Sequence, residues 1–378
     1  MEYRRANTLS LMLLASIILT ALANMAVAQS WTESGPLNRE GHSAVLDTTT
    51  NRMIVFGGLP NVANTNSQSN LNDVWRLNGT GGTNLSWTHV HPTGTAPVGR
   101  WGHTAVYDPS SNRMIVFGGG EGRTSPCDND VWVLTNANGT GGTPAWLQLS
   151  PAGSAPAPRV QHGSVYDPNT NTMIIYGGDD CFSTIFGDVW VLSNANGLTG
   201  TPTWMQLNPT GGGPGPREIS GGVAYDSTNN RLIVFGGQTI RGGIFNDVWV
   251  LTNANGQGGI PTWIQITPSG TLPAARTQNS TTYDLANNRL TIFAGEDASA
   301  NALGDAWVLM NANGIGGTPT WTQIASTSTD FPEARLLHTA VYNASTNKMT
   351  VFGGKTVSCC GVGGTVNDVF VLSHANGR

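Results

Sequence analysis

Six arginines recur along the chain at nearly constant spacing: Arg39, Arg100, Arg159, Arg217, Arg276 and Arg335. Six aspartates follow them in register: Asp73, Asp130, Asp188, Asp247, Asp305 and Asp368. A guanidinium can pair bidentately with a carboxylate or capture an anionic ligand. Six-fold repetition favours an ion pair built into the fold, because a ligand site needs asymmetry. A mouth ringed with guanidinium groups is the functional alternative. Four of the units carry histidine three residues after the arginine, His42, His103, His162 and His338, and the other two carry Ser220 and Asn279. Imidazole is a common metal ligand. Serine and asparagine, however, replace a hydrogen-bonding group rather than a zinc ligand, so these read as satisfied structural histidines. No metal and no cofactor are expected.

The elements that position these residues follow from the glycines. Gly-Gly pairs at 57, 118, 177, 236 and 353, with a degenerate Ala294-Gly295, lie 58 to 61 residues apart. Each ends an apolar run such as Met53-Ile54-Val55-Phe56, and each run follows a turn such as Asp108-Pro109-Ser110-Ser111-Asn112. That is a strand, a tight turn and a returning strand, here called a and b. A third strand, c, opens on the aspartate, as in Asp188-Val189-Trp190, and a fourth, d, starts at a second tryptophan: Trp31, Trp87, Trp146, Trp204, Trp263 or Trp321. Trp31 precedes the first Gly-Gly pair and the sixth unit ends without a fourth strand. The segment after Trp31 is therefore expected to pair with 368–372 and close a ring of six four-stranded sheets, which leaves only short protected edges.

With the arginine-to-histidine opening, the Gly-Gly strand end, the Asp-Val-Trp strand and the later tryptophan in hand, the sequence resembles the kelch-repeat β-propellers. The resemblance covers essentially all of residues 29–378 and implies an all-β fold, a single six-bladed propeller closed by an N-terminal strand. It does not by itself imply an activity, since one fold hosts many functions.

In such a blade the start of strand a, the end of strand b and the start of strand c share one face. Strands a and c lie roughly 9.6 Å apart, so an arginine can reach the aspartate across the side-chain-free Gly-Gly. The a–b turns and the near-copied Asn-Ala-Asn-Gly c–d loops lie at the opposite face. Those loops lack the acidic charge of calcium loops and read as tight turns. The tryptophans read as packing between blades. The b–c loops, in contrast, differ in every unit, so a specific function belongs on their face. Candidate groups there are Glu121, Arg123, Asp179, Asp180, Arg241, Glu296, Asp297 and Lys355, with Glu218 beside Arg217 and Phe182, Phe186 and Phe245 as apolar contacts. All four cysteines lie in these loops; Cys127 and Cys181, from neighbouring blades, are expected to form a disulfide, which leaves Cys359 and Cys360 as a vicinal bridge or two thiols, and the alternative is two bridges from Cys359 and Cys360 to Cys127 and Cys181 across the mouth.

Only 11% of the 378 residues are charged and 39% are hydrophobic, with 49 glycines and 20 prolines. This excludes charged disorder and long helices and fits a turn-rich β protein. The net charge of −5 offers no footprint for nucleic acid. Arg4 and Arg5 precede an apolar run that ends at Ala26-Val27-Ala28, so residues 1–28 are expected to be a signal peptide cut before Gln29. No second apolar stretch is long enough to span a bilayer. The expected protein is secreted or periplasmic, monomeric, and binds a protein or a glycan without catalysis. Among kelch enzymes, the copper chemistry of galactose oxidase is disfavoured, because Tyr107, Tyr166, Tyr225, Tyr283 and Tyr342 fall at the a–b turns, away from the cysteines. A sialic acid mutarotase-like epimerase, using Glu218 and an arginine, is the enzymatic alternative.

Overall fold

The computed structural model describes residues 35–60, 70–82, 84–121, 126–239, 242–325, 331–356 and 364–378. The signal segment, the strand after Trp31, Arg123, Arg241, Cys359 and Cys360 lie outside the described residues. Among the described residues there is no helix, and 24 strands form six antiparallel sheets: four run in sequential a-b-c-d order, the first adds the short strand Arg39–Glu40 on the end of its strand b, and the sixth has strands a, b and c. Blade three shows the unit: Gly163–Asp167, Thr172–Tyr176, Val189–Ser193 and Thr203–Leu207, each paired with the next. The six-bladed β-propeller read from the repeats is thus the observed architecture.

Strand b is the most buried element of each blade. In blade three its five residues, Thr-Met-Ile-Ile-Tyr, are all buried, which explains the unbroken apolar run: alternate side chains pack on the two neighbouring blades. Ile174 and Tyr176 belong to the core shared with blade four, whereas Met173 and Ile175 belong to the core shared with blade two. The Gly-Gly pair ends the strand because the chain there turns to positive φ, 71° at Gly177 and 93° at Gly178, and a Cβ at Gly177 would lie 2.5 Å from the Arg217 carbonyl oxygen. In blades one, two and five, strands b and c continue past this point through a register shift, as between Phe117 and Gly119, and strand c begins ahead of its aspartate, at Leu71, Cys127 and Ala302.

The blades are joined around the axis by backbone hydrogen bonds. Gly102 N–H donates to Gly41, Gln161 to Gly102, Ile219 to Gln161 and Leu337 to Gln278, at 2.8–3.1 Å. Gly41 N–H donates to Leu337 at 3.0 Å, joining blade one to blade six. The sixth sheet has three strands among the described residues, Thr339–Asn343, Lys348–Phe352 and Val369–Ser373.

Candidate functional site

All six arginines are 0–3% exposed, and each makes the same set of bonds. Nη1 and Nη2 grip the two oxygens of the strand-c aspartate of their own sheet, at 2.7 and 3.0 Å for Arg159 and Asp188. Nη1 also donates to the first Gly of the Gly-Gly pair, the Gly177 carbonyl at 2.9 Å, and Nε to the Ala157 carbonyl at 3.0 Å. The equivalent pairs are Arg39–Asp73, Arg100–Asp130, Arg217–Asp247, Arg276–Asp305 and Arg335–Asp368, at 2.5–2.8 Å. Burial pushes the Asp188 carboxyl upward, but the Arg159 hydrogen bond and charge outweigh it and hold the group below its ordinary value. The Trp190 indole N–H donates to the same carboxylate at 2.7 Å, a bond repeated at Trp75, Trp132, Trp249 and Trp307. Blade six has Phe370 in place of this tryptophan, and Asp368 is the most exposed of the six aspartates. Phe186 and Phe245 lie under the Arg159 and Arg217 guanidinium groups at 4.2 and 4.0 Å. The arginine ring is therefore a set of buried clamps tying strand a to strand c across the glycines.

The histidines are equally committed. His103 Nε2 contacts Ser43 Oγ at 2.9 Å, His162 contacts Thr104 at 2.7 Å, His338 contacts Ser280 at 2.8 Å and His42 contacts Thr339 at 2.8 Å, each reaching the preceding blade. Burial, followed by the charge of the adjacent arginine, depresses His103 and His338 to about 3, so they are neutral imidazoles. Blade four departs by one inserted residue. Arg217 and Asp226 are nine positions apart where Arg159 and Asp167 are eight, and Ile219 and Val223 pack where Gly163 offers no hydroxyl. Histidine and its hydroxyl partner are thus lost together. Among the described residues no group of three or more His, Cys, Asp or Glu could hold a metal ion.

The opposite face is held by a device that the sequence reading missed. The second Asn of each Asn-Ala-Asn-Gly loop reaches the aspartate ending strand a of the preceding blade: Asn138 to Asp47, Asn196 to Asp108, Asn255 to Asp167 and Asn313 to Asp226, at 2.6–2.8 Å. Asn376 does the same to Asp284 at 2.7 Å. Blade one lacks the motif, and in blade six the aspartate is Asn343, which donates to Asn51 instead. This joint change of both partners is the signal, visible in the repeats, that could have revealed the contact. The tyrosines of this face donate to turn asparagines, as Tyr166 does to Asn171 at 3.0 Å.

The loops that differ in length and chemistry from blade to blade lie on the b–c face. Cys127 and Cys181 are disulfide-bonded, as expected, with Cα atoms 5.7 Å apart, and fasten the blade-three loop to blade two. Asp180 Oδ1 accepts the N–H groups of Phe182, Ser183 and Thr184 at 2.8–2.9 Å. Against a small desolvation, these bonds bring its pKa to about 2. Asp297 accepts from Ser299 and Asn301 in the same way, so both acids shape their own loops. Phe182, at the tip of the fastened loop, is 71% exposed. Asp179 and Glu218 come together between blades three and four. Burial and then the Glu218 charge push Asp179 up to about 7, and burial raises Glu218, whose carboxylate accepts from the Gln238 amide. Glu296 lies nearer the positive charge of Lys355, although burial still raises it.

Comparison with known proteins agrees with this geometry. The chain is 27% identical over 345 residues to an F-box/kelch-repeat protein of Arabidopsis thaliana, covering 85% of this chain and 67% of the relative. It is 36% identical over 148 residues to a host cell factor homolog of Caenorhabditis elegans, and 34% identical over 192 residues to a leucine-zipper-like transcriptional regulator 1 homolog of Drosophila melanogaster. Those matches cover 38% and 50% of this chain but only 18% and 17% of the two relatives. The solved structure of YjhT shares the fold, with a TM-score of 0.61 at 13% identity over 91% of this chain and 97% of the other. The family model described as the KLHDC2/KLHL20/DRC7 Kelch-repeats domain matches residues 16–144, 110–258 and 228–378, and the chain belongs to the kelch-repeat family.

Proposed function

We propose that this chain is an exported binding module that engages a protein or a glycan through its b–c face. The observation that carries the reading is the contrast between the two faces. Copied asparagine–aspartate clasps occupy one, whereas the other has six dissimilar loops, one of them pinned by a disulfide and presenting Phe182 to solvent. An exposed aromatic on a pre-ordered loop loses little conformational freedom on binding, which suits it as an anchor. The buried arginines support the structure beneath, so discrimination falls to the loops. A disulfide fits an oxidising compartment and agrees with the expected signal segment. Membership of the kelch-repeat family supports a binding scaffold. The test is an array of exported proteins and glycans, sialic acids included, probed with the wild type and Phe182→Ser. A specific signal reduced at least tenfold by Phe182→Ser is expected; no signal on either array rejects the reading.

One observation favours a second reading, a sialic acid mutarotase-like epimerase. Asp179 titrates near neutrality beside Glu218, in the range of a general acid or base. Anomer exchange of a sialic acid, followed by NMR and abolished by Glu218→Ala, would replace the binding-module reading.

A further inference from the structure

Five of the six blades carry a valine three residues after the strand-c aspartate: Val133, Val191, Val250, Val308 and Val371. Blade one carries Arg76 instead. Its guanidinium lies against Gly139 of the blade-two c–d loop, where a Cβ would collide with Nη1. Nη1 donates to the Asn138 carbonyl at 3.1 Å, and Arg52 Nη1 donates to the same carbonyl at 2.8 Å. In blades two, four and five one strand-b arginine makes this bond alone, Arg113 to Asn196, Arg231 to Asn313 and Arg289 to Asn376, at 2.7–2.9 Å. The second guanidinium of blade one therefore duplicates a bond that Arg52 already supplies, in a place where valine serves every other blade. Arg76 Nε is buried without an acceptor among the described residues.

We propose that Arg52 and Arg76 form a binding site for a dianionic oxyanion, a phosphate or sulfate group, at the seam of blades one and two. Two positive charges converge there on one carbonyl, and no carboxylate pairs with either among the described residues. Asp47 stands opposite Arg52 in the strand pairing, but its oxygens accept from Thr49, Thr50 and Asn138. Burial, and then the charge of Arg52, act against the charged form of Arg76. In blades two and five the charges of Asp108 and Asp284 support Arg113 and Arg289 instead. The surface beside the pair is polar as well. Thr88, opposite Arg76, occupies the register at which blades two to four expose Leu147, Met205 and Ile264. Both arginines are partly exposed, so an anion reaches them from solvent. Guanidinium groups hold phosphate and sulfate oxygens through parallel N–H bonds, and a dianion balances both charges where one carboxylate would balance half. The site lies by the c–d loops, so it is separate from the b–c face and does not depend on binding there.

The test follows the arginine Nε–Hε signals of the full-length chain by NMR during titration with sodium phosphate, sodium sulfate or sodium chloride at matched ionic strength. A saturable shift of the Arg76 signal with phosphate and with sulfate, and none with chloride, is expected. Arg76→Val installs the residue of the other five blades, so its thermal midpoint should stay level or rise. The same variant is expected to weaken anion binding, read at Arg52, by about tenfold or more, while Phe182→Ser leaves it unchanged. Absence of a saturable shift, or an affinity that Arg76→Val does not alter, overturns the proposal. Loss of anion binding with Phe182→Ser would move the site to the b–c face and overturn it too. Methyl phosphate separates the sources of the anion: an affinity close to that of phosphate identifies an ester group on a larger ligand, and much weaker binding identifies the free ion.

Discussion

At the scale of single residues, a repeated polar side chain in this fold is structural when its partner repeats with it. Arg159 is buried against a partly buried Asp188, and removing one member leaves a charge without its counter-ion. Arg159→Ala is expected to lower the unfolding free energy by about 3–5 kcal/mol, measured by denaturant titration; a loss below about 1 kcal/mol would return the arginine to the ligand reading. The histidines give a pH prediction. His103 and His338 have folded pKa values near 3 and take up protons on unfolding at their ordinary value of 6.5. The unfolded state therefore binds more protons between those values, and stability falls as pH drops through that window. Asp179, raised to about 7, works in the opposite direction, so the informative quantity is a difference between variants. His103→Gln is expected to reduce the slope of stability against pH between 4 and 6 by up to about 1.4 kcal/mol per unit; an unchanged slope would contradict a buried neutral imidazole. The arginine–aspartate pairing was legible because both members recur at fixed offsets across a strand whose glycines leave room. The role of Ile219 was not, because one inserted residue after Arg217 shifts which side chain meets Gly163, and counting from the arginine alone points to Ser220.

At the scale of elements, the strands were readable because a central, doubly buried strand must be apolar throughout and must end where the backbone turns to positive φ. The Asn-Ala-Asn-Gly loops were recognised as turns, but their second asparagine acts on another blade, 88 residues away for Asn255 and Asp167. No local pattern encodes such a contact; only the joint change at Asn343 and in blade one does. Asn255→Ala is expected to destabilise the propeller by about 1–3 kcal/mol, because it leaves a buried Asp167 oxygen short of a partner. The check is thermal unfolding, and a neutral result would reduce the clasp to an incidental contact. Reduction of Cys127–Cys181 belongs at this scale too. On the chain-entropy account a separation of 54 residues contributes up to about 4 kcal/mol. Faster amide exchange concentrated in residues 180–187 is expected after reduction; uniform loosening of all blades would show that the bridge supports the whole ring instead of one loop.

At the scale of the whole molecule, a ring of similar blades separates stability from recognition. Clamps, histidines and clasps recur, and they hold an axis and two faces; the b–c loops vary and are free to discriminate. The expected cut before Gln29 adds a further prediction: exported protein should begin at Gln29, and a retained Met1 on exported protein, read by N-terminal mass spectrometry, would contradict the signal segment. The partner itself was not legible, because no loop carries a spacing that dictates chemistry, and the loops become a surface only after distant blades have assembled. The most direct test of the two-face account is one binding measurement on the protein and glycan arrays with three chains: the wild type, Phe182→Ser on the b–c face, and Leu198→Ser, an exposed c–d loop residue on the other face. The account predicts that Phe182→Ser removes the specific signal while Leu198→Ser keeps it; loss with Leu198→Ser and retention with Phe182→Ser would contradict it.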